Sequence, residues 1–133
     1  MEIYRDKYIS YFYEEENSLI VFYWSKDTEY MSDEDYKKLM LKGLSFAKKY
    51  NPKYVINNTI EKKYITTVEN QEWIAKNVLS KIFQNGVIKF AVIESEDIII
   101  QISTEQATEE HEEPKYSVMF FEKEEEAREW FKK

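Results

Sequence analysis

The amino-acid sequence predicts an α/β fold in which helices pack against a mixed β-sheet. Short runs of β-branched and aromatic residues alternate with longer stretches whose apolar residues recur at helical spacing. The chain has 133 residues, the length of a single domain, and its 43% hydrophobic content can form a buried core. The predicted element order is β-β-α-β-α-β-α-β-α, in which a hairpin leads into units joined by parallel crossovers. We therefore expect one domain over residues 1–133.

The first two predicted strands form a hairpin. Residues 8–13, YISYFY, and residues 19–24, LIVFYW, have the aromatic and β-branched composition that is typical of strands. The polar residues between them, EEENS, have the length of a hairpin connection. Because the second run is apolar throughout, it indicates a strand that is covered on both faces.

The most clearly marked helix is predicted over residues 33–50. Ser32 precedes it as an N-cap, and the acidic residues at 33–35 suit the positive end of its dipole. Asn51 and Pro52 mark its end. One face carries an apolar stripe at helical spacing, which consists of Tyr36, Leu39, Met40, Gly43, Leu44 and Ala47.

Strands and helices alternate in the remainder of the chain. Further strands are predicted at residues 53–58, 88–93 and 116–121, and further helices at residues 68–84, 95–110 and 122–133. For residues 98–102 the sequence is consistent with either a helix or a strand, since their isoleucines also suit a strand. The helix is preferred because a connection between two parallel strands needs a dozen or more residues.

The composition argues against several classes of partner and location. A formal net charge of −7 disfavours nucleic acid as a partner. The apolar runs are shorter than the roughly 20 residues that a membrane span needs. Residues 1–8, MEIYRDKY, lack the pattern of a signal peptide. We therefore expect a soluble cytoplasmic protein.

The sequence offers no pattern of residues that is typical of an active site. Cysteine is absent, and the one histidine, His111, lies among glutamates without other strong metal ligands at a fixed spacing. Neither a catalytic triad nor a glycine-rich phosphate loop is present. We expect no catalytic residues, no cofactor and no metal, and hence a protein that is not an enzyme.

Two adjacent threonines, Thr66 and Thr67, precede the helix predicted at residues 68–84. Thr66 and Glu69 fit the spacing of a capping box, in which Thr66 accepts a hydrogen bond from a free amide of the helix. A phosphate or another anion would be favoured at the same place, because free amides and the helix dipole attract negative charge. The pair is therefore either a cap or a phosphorylation or anion site.

The aromatic content, 17% of all residues with 11 tyrosines, is unusual. These side chains fill the core, form an interface or line a cavity for a small apolar ligand. Core packing is the preferred interpretation. Aromatic residues that remain exposed would favour a protein partner, or self-association as a homodimer.

Several stretches of the chain resemble the SpoIIAA-like proteins, which are bacterial relatives of the STAS domain and are often grouped as STAS/SEC14-like. The resemblance covers nearly the whole chain. It rests on the opening hairpin and on four further stretches, YKKLMLKGLSFAKKYNPKYVINNT, TTVENQEWI, KFAVI and FFEKEEEAREWF. The most characteristic residues are packing residues: Gln71, Glu72, Trp73, Phe120, Phe121, Glu126, Ala127, Glu129 and Trp130.

The resemblance implies a non-enzymatic protein-interaction or regulatory module, with a SEC14-like carrier of an apolar ligand or lipid as the alternative. In STAS antagonists a kinase phosphorylates a serine or threonine at the start of the helix that follows the third strand. Thr66 and Thr67 match that residue by position only, because Asn57 and Asn58 stand where an acidic residue is expected and no glycine follows. The antagonist function is therefore not implied for this chain.

Overall fold

The computed structural model describes residues 1–93 and 117–133, and these residues form one mixed sheet. Its six strands lie side by side in chain order: β1 Glu2–Arg5, β2 Ile9–Glu14, β3 Leu19–Trp24, β4 Tyr54–Asn58, β5 Lys89–Ile93 and β6 Ser117–Phe121. Strands β1, β2 and β3 pair antiparallel, whereas β3, β4, β5 and β6 pair parallel. The predicted α/β class with a mixed sheet and an opening hairpin is confirmed.

Strand β1 was not predicted. It pairs with β2 and has a bulge between Glu2 and Tyr4. Its four residues, EIYR, have charged ends and are too few for an alternating pattern to be recognised.

The helices occupy most of the predicted positions. They are α1 Asp33–Tyr50, α2 Val68–Ile74, α3 Ser80–Gln84 and α4 Glu124–Phe131, and a π-helical turn, Ala75–Leu79, joins α2 to α3 without a break. Together α2, the turn and α3 cover the helix predicted at residues 68–84. The helix predicted at residues 95–110, with the open question at 98–102, lies outside the described residues.

The ends of α1 agree with the sequence pattern. The hydroxyl of Ser32 accepts a hydrogen bond of 3.1 Å from the amide of Asp35. Asn51 ends the helix in the left-handed conformation, with φ of 50°, which is a common way for a helix to stop. The residues of the predicted apolar stripe are all buried.

Both faces of the sheet carry apolar residues. On one face, Ile20, Phe22 and Trp24 of β3 join the larger core cluster beneath α1, α2 and α3. On the other face, Leu19 and Val21 of β3 join a smaller cluster that α4 covers through Ala127. The prediction that β3 is covered on both sides is confirmed.

Helix α4 is fastened to the sheet by polar contacts as well as by its apolar residues. The guanidinium of Arg128 donates two hydrogen bonds to the carboxylate of Glu14, at 2.8 and 2.7 Å. The hydroxyl of Tyr23 donates to Glu124 at 2.9 Å. Burial, together with the neighbouring Glu124 carboxylate, raises the pKa of Tyr23 to about 12, so this hydroxyl remains a donor at neutral pH.

In residues 1–93 and 117–133, no helix combines the length and the apolar character that crossing a membrane requires.

Candidate functional site

The candidate site lies where the parallel strands β3, β4 and β5 end. Ligands of open α/β sheets bind at this carboxyl edge, because the loops that follow the strands converge there. Two buried side chains near the ends of β3 and β4, Trp24 and Asn57, contact each other at this edge. The indole nitrogen of Trp24 donates a hydrogen bond of 2.7 Å to the side-chain oxygen of Asn57.

Lys62 is the most unusual residue of this edge, because it is only 1% exposed, whereas lysines are almost never fully buried. Its ammonium nitrogen lies 4.8 Å from the ring centroid of Tyr36 and 5.5 Å from that of Trp24. The hydroxyl of Tyr36 is 3.5 Å away. Among the described residues, no carboxylate lies within 4.0 Å of this nitrogen. The two aromatic faces and the Tyr36 hydroxyl, which accepts a long hydrogen bond from the ammonium, therefore provide the close electrostatic contacts of Lys62.

Tyr64 extends this cluster toward the starts of two helices. Its ring centroid lies 4.5 Å from that of Tyr36. Its hydroxyl donates a hydrogen bond to Asp33 and accepts one of 3.0 Å from the side-chain amide of Asn70. Burial, and then the hydrogen bond to Asp33, raises the pKa of Tyr64 well above its usual value. The hydroxyl therefore remains protonated and ties the start of α1 to the start of α2.

Two loops form the surface of this edge, residues 25–32 after β3 and residues 59–67 after β4. The amide of Lys63 donates a hydrogen bond of 2.7 Å to the hydroxyl of Thr28. That hydroxyl in turn donates to the carbonyl oxygen of Ser25 at 2.7 Å. In the second loop, the hydroxyl of Thr59 donates to the carbonyl oxygen of Ile93 at 2.6 Å. The two loops are thus held to each other and to β5.

The adjacent threonines have different environments. The hydroxyl of Thr67 accepts a hydrogen bond of 3.1 Å from the amide of Asn70, so Thr67 is the N-cap of α2. Thr66 is buried, and its hydroxyl has no hydrogen-bond partner among the described residues. The expected capping box of Thr66 and Glu69 is wrong by one residue, because the helix begins at Val68. Phosphorylation or anion binding at either threonine stays a prediction, and Thr67 is the exposed one of the two.

Large apolar side chains are exposed on the two loops and at the first residue of α2. Tyr30 is 80% exposed, Ile65 50% and Val68 66%. We call these three residues the apolar rim. Beside it, a surface depression is lined by Glu29, Lys63, Tyr64 and Ile65, which places the tip of the first loop next to the second. Sequence reasoning missed the rim, since its members belong to no periodic stripe and are found only when the loops are placed.

Hydrogen bonds fix the two loops at this edge to each other, to β5 and to the start of α1. Apart from the Thr66 hydroxyl, the buried polar groups described above contact aromatic rings, amides or carbonyl oxygens of the loops and helix starts. Within the described ranges, no group of three or more histidine, cysteine, aspartate or glutamate side chains is arranged to hold a metal ion. His111 lies outside those ranges.

In comparisons with protein-family models, with curated proteins and with solved structures, nothing matches this chain significantly. The STAS-like resemblance, the non-enzymatic role, the homodimer and the apolar ligand therefore stay predictions.

Proposed function

We propose that the protein is a non-enzymatic protein-interaction module of STAS-like type, and that the apolar rim is its contact surface. The observation that carries this proposal is the exposure of Tyr30 and Ile65 on the two loops and of Val68 at the first residue of α2. Large apolar side chains that share an exposed surface are typical of sites that bind other proteins.

The rigidity of the loops supports the same proposal. The Thr28–Lys63 hydrogen bond joins the two loops, and the hydrogen bond from Tyr64 to Asp33 holds the second loop to the start of α1. A contact surface that is ordered before binding loses less conformational entropy when the partner docks. Because the rim projects from such loops, it is prepared for binding without rearrangement.

The proposal is tested by expressing tagged wild-type and variant proteins in the cells in which the protein naturally occurs and comparing the proteins that each one binds. After chemical crosslinking, quantitative mass spectrometry identifies the proteins bound to the wild type and to an Ile65→Asp/Val68→Asp variant. We expect a partner that is bound by the wild type and lost from the double variant, since buried aspartates at an interface are unfavourable. The control is Ile88→Asp, because Ile88 is similarly exposed but lies outside the rim.

Equal thermal stability of the three proteins shows that loss of the partner is not loss of the fold. If the double variant retains every partner of the wild type, the rim is not the contact surface. If none of the three proteins enriches a partner, the interaction function itself is refuted.

A further inference from the structure

Asn85 and Gly86 lie at the C-terminal end of α3, and the fold uses each of them for a different reason. The side-chain amide of Asn85 donates hydrogen bonds to the carbonyl oxygen of Ala47, at 2.8 Å, and to the side-chain oxygen of Asn51, at 3.2 Å. Asn85 therefore joins the end of α3 to the end of α1. Gly86 has a φ of 116°, a conformation that residues with a side chain rarely adopt. Two separate structural requirements thus place an asparagine directly before a glycine.

An asparagine that precedes a glycine is chemically labile, because this pair deamidates more easily than other asparagine pairs. The backbone nitrogen of the glycine attacks the side-chain carbonyl carbon of the asparagine and forms a C–N bond. The side-chain nitrogen leaves as ammonia, which carries the proton that the attacking amide gives up. Water then opens the cyclic imide at either of its two carbonyl groups and gives aspartate or isoaspartate. Glycine favours the ring closure because it has no Cβ atom to hinder it.

We propose that Asn85 is a site of spontaneous deamidation, that the folded structure suppresses this reaction, and that the reaction breaks the link between α1 and α3. Water is the one co-reactant. Neither Asn85 nor Gly86 belongs to the apolar rim, so this site is independent of the proposed function.

Both reacting groups are engaged in the folded chain. The backbone amide of Gly86, which is the nucleophile, donates a hydrogen bond of 3.1 Å to the carbonyl oxygen of Phe83. The side chain that it would attack is held by Ala47. The attack therefore requires this end of α3 to open first. Helix ends open locally without unfolding of the whole protein, so deamidation should be slow in the folded state but not abolished.

The product cannot replace the asparagine in its hydrogen bonds. A carboxylate only accepts hydrogen bonds, so an aspartate at position 85 would direct a charged oxygen at the carbonyl oxygen of Ala47, to which the amide donates. The position also lies at the C-terminal end of α1, where the helix dipole disfavours negative charge. Deamidation should therefore release α3 from α1 and favour further opening of this end.

Mass spectrometry of the wild type tests the suppression. The protein is incubated at mildly alkaline pH, either folded in buffer or unfolded in guanidinium chloride, and is then digested briefly with trypsin. Lys81 and Lys89 flank the tryptic peptide 82–89, in which Asn85 is the one asparagine. The mass and the fragmentation of this peptide therefore report the conversion of Asn85, and an unincubated sample corrects for conversion during digestion. The free peptide 82–89, kept in the same two solutions, is the control for an effect of guanidinium on the chemistry itself.

We expect Asn85 to convert about tenfold more slowly in the folded chain than in the unfolded chain, or slower still, because two hydrogen bonds must break before the attack. The free peptide should convert at similar rates in both solutions. Equal rates for the folded and the unfolded chain would refute the suppression, and an unfolded chain in which Asn85 does not convert would refute the site.

Thermal denaturation of Asn85→Asp tests the consequence for the fold. This variant should lower the melting temperature by about 3–5 °C, since it places a carboxylate against the Ala47 carbonyl oxygen. Gln84→Glu is the matched control, because it makes the same amide-to-carboxylate change at the neighbouring residue, which is exposed. It should leave the melting temperature nearly unchanged. Equal melting temperatures of the two variants would overturn the claim that deamidation breaks a structural link.

Discussion

Lys62 is held in the protein by its hydrocarbon stem and by two aromatic rings. Its four methylene groups occupy core volume, and its ammonium faces Trp24 and Tyr36. A long charged side chain of this kind stabilises a fold largely through the packing of its stem. Burial of its charge costs free energy, which the rings offset in part.

We therefore expect Lys62→Met to keep the free energy of unfolding within about 1.5 kcal/mol of the wild type, because methionine refills the volume of the stem. Lys62→Ala should lose about 2 kcal/mol or more, since it leaves a cavity. Urea denaturation of the two variants measures both values. A loss for Lys62→Met as large as that for Lys62→Ala would show that the charge, and not the stem, is what the fold requires.

The threonine pair allows a second comparison between neighbouring residues. Thr67→Ala should destabilise the protein by about 1 kcal/mol, because the amide of Asn70 loses its acceptor. Thr66→Val should be neutral or slightly stabilising, because it replaces a buried hydroxyl, which has no hydrogen-bond partner in residues 1–93 and 117–133, with a methyl group of similar size. Thermal denaturation separates the two. The reverse order of stability would assign the cap to Thr66.

At this scale the sequence predicts the type of a local structure better than its position. A threonine cap before the helix was expected, but Thr66 and Thr67 both suit an N-cap and nothing in the local pattern decides between them. The tertiary structure determines which threonine is the cap, because Thr66 is buried whereas Thr67 lies at the surface. The burial of Lys62 could not be predicted, since no one-dimensional pattern shows that Trp24 and Tyr36 enclose it.

At the scale of the elements, helix α1 lies close to the sheet at Gly43. A Cβ atom at this position would lie 2.8 Å from Cζ of Phe22 and 3.2 Å from the hydroxyl oxygen of Tyr11. Both rings are fully buried, and the hydroxyl of Tyr11 donates to the carbonyl oxygen of Leu39 on α1. Both rings are therefore held by packing, and a shift of either one would disturb its neighbours.

Gly43→Ala should therefore destabilise the protein by about 1 kcal/mol net. The overpacking, about 1–3 kcal/mol, exceeds the helix propensity gained, about 1 kcal/mol. Ser45→Ala is the matched control, because Ser45 is exposed on the same helix. It should leave the stability nearly unchanged. If Gly43→Ala were as stable as Ser45→Ala in urea denaturation, the close approach would not limit the packing of α1.

Helix α4 should be the most pH-sensitive element of the described fold. The hydrogen bonds from Arg128 hold the pKa of Glu14 below its ordinary value of 4.5. A carboxyl group with a lowered folded-state pKa stabilises the fold fully above its unfolded pKa, and the stabilisation is lost as the pH falls through the lowered value. The contribution is therefore complete at pH 7 and disappears in acid.

Arg128→Gln should cost about 1 kcal/mol at pH 7, because it removes a partly exposed ion pair. The difference in the free energy of unfolding between Arg128→Gln and the wild type should become smaller as the pH falls below 4.5, the ordinary pKa of a glutamate. Arg5→Gln is the control, since the pair of Arg5 with Glu2 is largely exposed and should contribute little at any pH. A constant difference between pH 7 and pH 3 would contradict the role of the Glu14 carboxylate.

The predictability of the elements follows their length and burial. Helix α1 was predicted at its observed bounds because its apolar stripe runs for three turns between two clear caps. The π-helical turn at Ala75–Leu79 was missed, because the difference between a π and an α turn barely alters the apolar spacing. Strand β1 depends on its pairing with β2, which the short sequence EIYR does not reveal.

At the scale of the whole molecule, the sheet is the structure that the two core clusters share. Strands β3, β4 and β5 contribute buried residues to both clusters, so they link the helices on one face to α4 on the other. For β3 this two-sided burial was predicted, because its sequence, LIVFYW, is apolar without alternation. The arrangement of the loops at the carboxyl edge was not predictable, since it depends on hydrogen bonds between residues far apart in sequence, such as those of Thr28 and Lys63.

The net charge of −7 also acts on the whole molecule. Like charges repel more strongly in the compact folded state than in the expanded unfolded chain, and salt screens this repulsion. At pH 7 the melting temperature should therefore rise when sodium chloride is added to a low-salt buffer. Near pH 4.9, the isoelectric point expected from the sequence, the same addition should have little effect, because the net repulsion is absent. Differential scanning calorimetry at the two pH values measures the contrast, and a salt effect of equal size at both would assign it to preferential exclusion of salt instead of net charge.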